Sequence, residues 1–255
     1  MTKGYLDLSR HVLRISGADR IKFLQDLVTN DLAGLASGPV YAALLSPQGK
    51  YLFDFFLVGS ADDVLIDITA DCAEALAQRL NMYRLRADVQ ISVAAEKVWR
   101  GLGGAPDKGH VDPRDPNLGW RLYGIAAPQM AVMDPAEMTA LRVKHIIPKT
   151  GVELVVEQTY ILEAGFERLN GVDFRKGCYV GQEITARMKH KTKLKKGLVR
   201  VSVSGNAPEC GTSITANNKP VGTLFTVANG MGLAHLRFDR AQDDMQAGDA
   251  VLRLA

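Results

Sequence analysis

Asn170-Gly171-Val172-Asp173-Phe174-Arg175-Lys176-Gly177-Cys178-Tyr179-Val180-Gly181-Gln182-Glu183-Ile184-Thr185-Ala186-Arg187 is the most distinctive stretch of this 255-residue chain. Gly177 and Gly181 bracket Cys178-Tyr179-Val180, a spacing that permits tight turns or close approach of a ligand to the backbone. Arg175 and Lys176 lie beside the thiol, and neighbouring cations stabilise thiolate. Cys178 is therefore the candidate reactive thiol, with Lys176 as its catalytic companion. An ordinary cysteine is a small buried hydrophobe, and that reading stands for Cys72 and Cys210.

Downstream, Arg187, Lys189, Lys191, Lys193, Lys195, Lys196 and Arg200 are seven basic residues with no acid among them. Without them the chain has 24 basic against 28 acidic residues, so its excess positive charge lies in this segment. On an extended strand, the alternation of Lys189, Lys191, Lys193 and Lys195 puts four ammonium groups on one side. Two readings stand: a solvated edge protected by lysines, or a docking surface for RNA, an acidic partner or a polycarboxylate ligand. The interleaved aromatics that base stacking uses are absent. From Gly197 onward, Gly205, Pro208, Gly211, Asn217-Asn218, Asn229-Gly230 and Gly248 punctuate short strands, which predicts a small barrel or sandwich with a boundary near residue 196.

Upstream, Asp19 is a plausible N-cap for an amphipathic helix with Ile21, Leu24, Leu27, Val28 and Leu32 on one face, ending near Gly34. Pro39 to Leu45 and Tyr51 to Val58 flank Ser46-Pro47-Gln48-Gly49, which predicts a hairpin. A strand over 63–69, a helix carrying Cys72, Leu76, Leu80 and Tyr83, and a strand with Val89, Ile91 and Val93 follow. A Gly- and Pro-rich loop spans Gly101 to Pro116. Gly119 to Ala127 reads as a strand, and Asp134-Pro135-Ala136-Glu137 opens a helix reaching about Ile146. Hairpins mixed with helices give an α+β class with antiparallel sheets.

Composition excludes several functions. Hydrophobic residues at 47% and charged residues at 23% are those of an ordinary folded protein, and a net charge of +3 does not announce nucleic-acid binding. Three cysteines exclude a disulfide scaffold, and five scattered histidines indicate no metal centre. Gly101-Leu102-Gly103-Gly104-Ala105-Pro106 lacks the third glycine of a dinucleotide loop. Charges interrupt the N-terminal stretch, and no run approaches the roughly 20 apolar residues of a membrane span, so a cytoplasmic chain without membrane contact is expected.

Lys176-Gly177-Cys178-Tyr179-Val180-Gly181-Gln182-Glu183 resembles, position for position, the K-G-C-Y-x-G-Q-E signature of the YgfZ-type folate-binding proteins. These are relatives of the glycine-cleavage T-protein, an aminomethyltransferase, and of the mitochondrial iron–sulfur maturation factor. Phe23-Leu24-Gln25, Thr29-Asn30-Asp31, Ser46 to Lys50, Tyr83-Arg84-Leu85-Arg86, Asp112-Pro113-Arg114, Leu118-Gly119-Trp120-Arg121, and Gly232-Leu233-Ala234 with Arg237 continue the likeness in order. It covers nearly the whole chain.

The resemblance implies three subdomains around a central hole that binds tetrahydrofolate or a derivative. Residues 1–196 would form two α+β subdomains, with boundaries near 45 and 105, and residues 197–255 a β-barrel. It implies a folate-binding accessory protein for iron–sulfur cluster assembly or repair. Its partners would be assembly proteins or client enzymes, including enzymes of tRNA modification. A pterin offers adjacent N–H donors to a carboxylate, and Asp54 and Glu163 are the candidates; Arg187 is the candidate for the folate tail. Asn30, Tyr179, Gln182 and Glu183 complete the expected cofactor-binding set, and no metal ligands are expected. Aminomethyltransferases of the superfamily typically carry Asp-Asp where this chain has Phe53-Asp54, and Pro where it has Ile161. The missing acid counts against the alternative of an aminomethyl or one-carbon transferase. A further alternative, an RNA-binding module, rests on the basic stretch alone.

Overall fold

The computed structural model of the chain describes every residue except Ala61 and Thr192, and describes Lys191 by its backbone alone. The first sheet runs in the order Val40–Leu45, Tyr51–Gly59, Val64–Thr69, Arg10–Ser16, Gln90–Val93, antiparallel throughout. Helices α1 (Arg20–Gln25) and α2 (Ala73–Arg84) cover one face, where Leu24, Leu76 and Leu80 pack on Leu13, Ile15, Phe55 and Ile66. The hairpin turn is closed by Gly49 N–H to Ser46 C=O at 2.8 Å.

The expected long first helix is two shorter pieces. α1 stops at Gln25, and a 3-10 turn, Leu32–Ala36, follows with Asp31 as its N-cap. Between them Val28 bridges to Leu44 and Thr29 N–H donates to Ala43 C=O, so the sheet edge takes the backbone bonds a continuous helix would use. Asp19 accepts from Asp88 N–H instead of capping, and Ile21 faces solvent while Phe23 fills the core.

The second sheet is ordered Ala131–Val132, Lys3–Leu6, Lys97–Leu102, Trp120–Gly124, His110–Val111. Its outer pairing, Ala131–Val132 with Lys3–Leu6, is parallel. Two strands therefore occupy part of the segment read from sequence as loop. Residues 3–6 lie in the second sheet while 10–16 lie in the first, and position 45 ends a strand of the first hairpin. The linear boundary near 45 thus falls inside one sheet, because the N-terminal strands are shared between the two. Helix α3 (Pro135–Lys144) begins at Asp134, whose side chain accepts from Ala136 N–H.

Helix α4 (Gln182–Lys191) precedes a closed six-stranded barrel of Lys196–Ser204, Met231–Arg237, Lys219–Ala228, Ser213–Ala216, Met245–Ala247 and Ala250–Leu254. Lys189 and Lys191 are in α4, so the expected alternation of four lysines along one strand does not form. Helical spacing separates what strand spacing would have aligned. Lys193 and Lys195 are exposed between helix and barrel, and Thr192 lies outside the described residues. Among the described residues no helix is long and apolar enough to cross a membrane.

Candidate functional site

Where the two sheets meet α3 and the 148–150 loop, a cavity of about 370 Å³ opens. Its polar wall includes Arg10, Arg100, Arg114, Arg121, Arg142 and Lys149, with two carboxylates, Asp7 and Asp54. Arg121 is 1% exposed; its Nη1 donates to Asp67 at 2.6 Å and its Nε to Asp112 at 3.0 Å. Its guanidinium carbon stands 3.7 Å from the centroid of Phe56. Arg10 shares Asp67, Arg114 grips Asp112 through Nε and Nη2, and Arg100 pairs with Asp7 at 3.2 Å. Burial alone would raise the Asp112 carboxyl, but Arg114 and Arg121 outweigh it and hold the group below the usual carboxylate range. Because Asp67 belongs to the first sheet and Arg121 to the second, this network is also the joint between them.

Asp54 is the lining carboxylate with no cation partner among the described residues. It is 4% exposed and held by three hydroxyls: Tyr41 at 3.0 Å to Oδ2, Tyr51 at 2.7 Å to Oδ1, and Thr150, also to Oδ1. Burial and the Asp54 charge push both tyrosine pKa values well above their usual range, so both stay protonated as donors. A carboxylate has about four acceptor positions, and three are taken here. The position left is on Oδ2, so Asp54 has room to accept one further N–H, and the expected bidentate pair requires one hydroxyl to move. Strand alternation turns neighbouring Phe53 onto the helix-covered core instead.

The structure separates the other expected residues from this cavity. Lys176 is buried, and its Nζ donates to Gln25 C=O at 2.7 Å and to Val28 C=O, closing the carbonyl end of α1. It is a tether for the loop, not a cation committed to the thiol. Arg175 points outward and lies 3.6 Å from Asp173. Cys178 is exposed and does not line the cavity. Tyr179 is buried in the second core cluster, with its hydroxyl pushed up to about 12 by burial, and anchors the loop from below. Gln182 donates to Gly177 C=O at 3.3 Å. Glu183 and Arg187 are exposed on α4. Asn30 donates to Tyr41 C=O and Asn170 C=O, a splice between segments. Glu163 meets His235 Nε2 at 3.2 Å across the seam with the barrel, far from the role shared with Asp54. The expected cofactor set therefore reduces at the cavity to Asp54, because the signature loop packs against α1 and the hairpin turn.

The two signature glycines differ. Gly181 has φ +81°, and a Cβ there would stand 2.5 Å from Ser46 O, so contact with the hairpin turn requires glycine. Gly177 has no such neighbour. The arginines of the cavity escaped sequence reasoning, although Asp112-Pro113-Arg114 and Trp120-Arg121 were conspicuous. An arginine within a strand gives no sign of whether its face is buried.

Lys176 carries a pH prediction. Burial lowers its pKa from 10.5 to about 8, against the opposing pull of Asp31, Asp26 and Asp173. Between those values the folded chain has released a proton that the unfolded chain still binds, so stability rises with pH in that window and the contribution is lost as pH falls through the folded value. Urea midpoints measured across the window should climb in the wild type relative to Lys176→Met. Parallel curves would remove the assignment.

By architecture, the chain has the fold of the aminomethyltransferase of the glycine cleavage system. The crystal structure of aminomethyltransferase T from Bartonella henselae matches with a TM-score of 0.77 over 99% of this chain and 84% of that one, at 14% identity. Residues 195–255 match the CAF17 C-terminal beta-barrel domain. The mouse iron-sulfur cluster assembly factor IBA57, mitochondrial, is 30% identical over 89% of this chain and 75% of its own length. The IBA57 homolog of Mycosarcoma maydis is 31% identical over 78% of this chain. This chain belongs to the IBA57 family. It spans 57% of the fungal relative's length.

Proposed function

We propose that this chain is an accessory protein of iron–sulfur cluster assembly that binds a reduced folate in the cavity at Asp54. The assembly role is supported by membership of a family whose matched members are named iron-sulfur cluster assembly factors. The folate reading is supported chiefly by one observation: Asp54, a buried carboxylate held only by hydroxyls, faces a cavity whose wall also carries five arginines and a lysine, while its other carboxylate, Asp7, is paired with Arg100. Such a group accepts an N–H of a pterin, while Arg142 and Lys149 suit the carboxylates of a folate tail. Exposed Cys178, on a separate face, is the thiol offered to an assembly partner or client, including clients that modify tRNA. The single carboxylate free at the cavity gives the transferase alternative no further support.

Calorimetry with tetrahydrofolate tests the folate reading. Micromolar binding, roughly 8 kcal/mol, is expected for the wild type. Asp54→Ala should weaken it by roughly 10- to 100-fold, the value of a hydrogen bond to a charged group. Glu163→Ala should leave it near the wild type, since Glu163 bonds the barrel. An absence of heat at millimolar tetrahydrofolate would overturn the reading.

A further inference from the structure

The barrel meets the cavity's machinery at Thr226, which bonds the buried carboxylate of Glu153 and the cavity-lining Arg142. Glu153, whose side chain is inaccessible to solvent, accepts from Arg142 Nη1 at 2.8 Å, from Lys149 N–H at 3.0 Å and from Thr226 Oγ1 at 2.6 Å. Arg142 Nη2 donates to the same Thr226 hydroxyl, and Thr226 N–H reaches Glu153 at 3.3 Å. Thr226 comes from the barrel strand Lys219–Ala228, at a register shift between Leu224 and Val227. Such irregularities re-aim side chains, and this one directs Thr226 out of the barrel ladder toward the body of the protein.

The other end of this connection is the cavity wall. Arg142, Lys149 and Thr150 all line it, and Thr150 donates to Asp54. The loop between Thr150 and Glu153 is closed on itself: Lys149 C=O accepts from the N–H groups of Val152, Glu153 and Leu154, and Gly151 N–H donates to Leu154 C=O. These bonds link Glu153 to Thr150, three residues away, through one closed turn.

We propose that Thr226 and Glu153 are positioning residues through which the barrel sets the ligand-binding geometry of the cavity. They touch no ligand themselves. They hold the Arg142 guanidinium at the wall and keep the Thr150 hydroxyl on Asp54, leaving the free Oδ2 position directed for an incoming N–H. The ligand arm of the test rests on the folate reading above; the arm without ligand does not.

In the first arm, tetrahydrofolate is titrated into the wild type, Thr226→Val and Thr226→Ser. Thr226→Val keeps the shape and removes the hydroxyl. It should weaken binding about tenfold, a usual coupling between sites, while Thr226→Ser stays within about twofold of the wild type. In the second arm, amide hydrogen exchange is followed without ligand. Thr226→Val should speed exchange over residues 149–154, and Thr150→Val should speed it over 224–227. Thr226→Ala serves in both arms if the valine variant does not fold.

Unchanged affinity in a folded Thr226→Val protein would overturn the proposal. If the wild type fails to bind tetrahydrofolate, the folate reading falls and the second arm decides. Faster exchange at the distant segment then upholds the positioning role, and unchanged exchange overturns it.

Discussion

Arg121→Ala is expected to destabilise the protein by about 3–5 kcal/mol, the usual cost of removing one partner from a buried ion pair. The change takes one of two cations from each of two buried carboxylates. Asp67 keeps Arg10 and the Tyr123 hydroxyl, and Asp112 keeps Arg114, but both lose a contact of 3.0 Å or less in a region closed to solvent. Phe56 also loses the guanidinium stacked 3.7 Å from its ring. For a chain of this size the melting temperature should fall by roughly 6–10 °C.

Acid should narrow the difference. Asp112 is held below the ordinary carboxylate range, so its contribution is present above its unfolded pKa and disappears as pH falls through the folded value. Removing Arg121 removes one of the cations that hold it there, so the variant has less of this contribution to lose, but starting from lower stability it should still unfold at higher pH than the wild type. Denaturant unfolding at neutral pH and an acid titration measure both effects. A loss under about 1 kcal/mol, the size of an exposed pair, would mean that the joint between the sheets does not depend on this network.

Cys178→Ala should instead abolish function and leave stability alone. The thiol is exposed, on a loop fixed from below by Tyr179 and by the Lys176 tether, so no packing is lost with the sulfur. Surface changes of this kind usually stay within about 0.5 kcal/mol. Complementation of a strain lacking the gene should fail for both the alanine and serine variants, with melting temperatures within about 2 °C of the wild type. Alkylation should be faster at Cys178 than at Cys72, whose thiol is half-buried and pushed up in pKa by that burial. A Cys178→Ala protein that melts early yet complements in full would reverse the assignment and make the residue structural.

The sequence by itself determined the class of fold, because that information is local and periodic. The hairpin around Ser46-Pro47-Gln48-Gly49, the α3 cap at Asp134-Pro135 and the turn residues of the barrel each act within a few residues, and each forms where the spacing puts it. Cys178 could also be picked out between its glycines, and Asp54, in the second strand of the hairpin, through the family resemblance.

Tertiary structure alone decided how these two relate. Lys176 finds the open carbonyls of Gln25 and Val28, at and just beyond the end of α1 and some 150 positions earlier in the chain, which turns an expected activator into a tether and leaves the signature loop outside the cavity. Glu163 finds His235 instead of a ligand. The cavity itself is assembled from Arg10, Arg100, Arg114, Arg121 and Arg142, supplied by both sheets, the turn at 113–114 and α3, with the 148–150 loop completing the wall. A buried arginine is tolerated only where carboxylates from other segments meet it. Asp67 and Asp112 do so for Arg121 from 54 and 9 positions away, and no spacing rule in the sequence encodes that meeting.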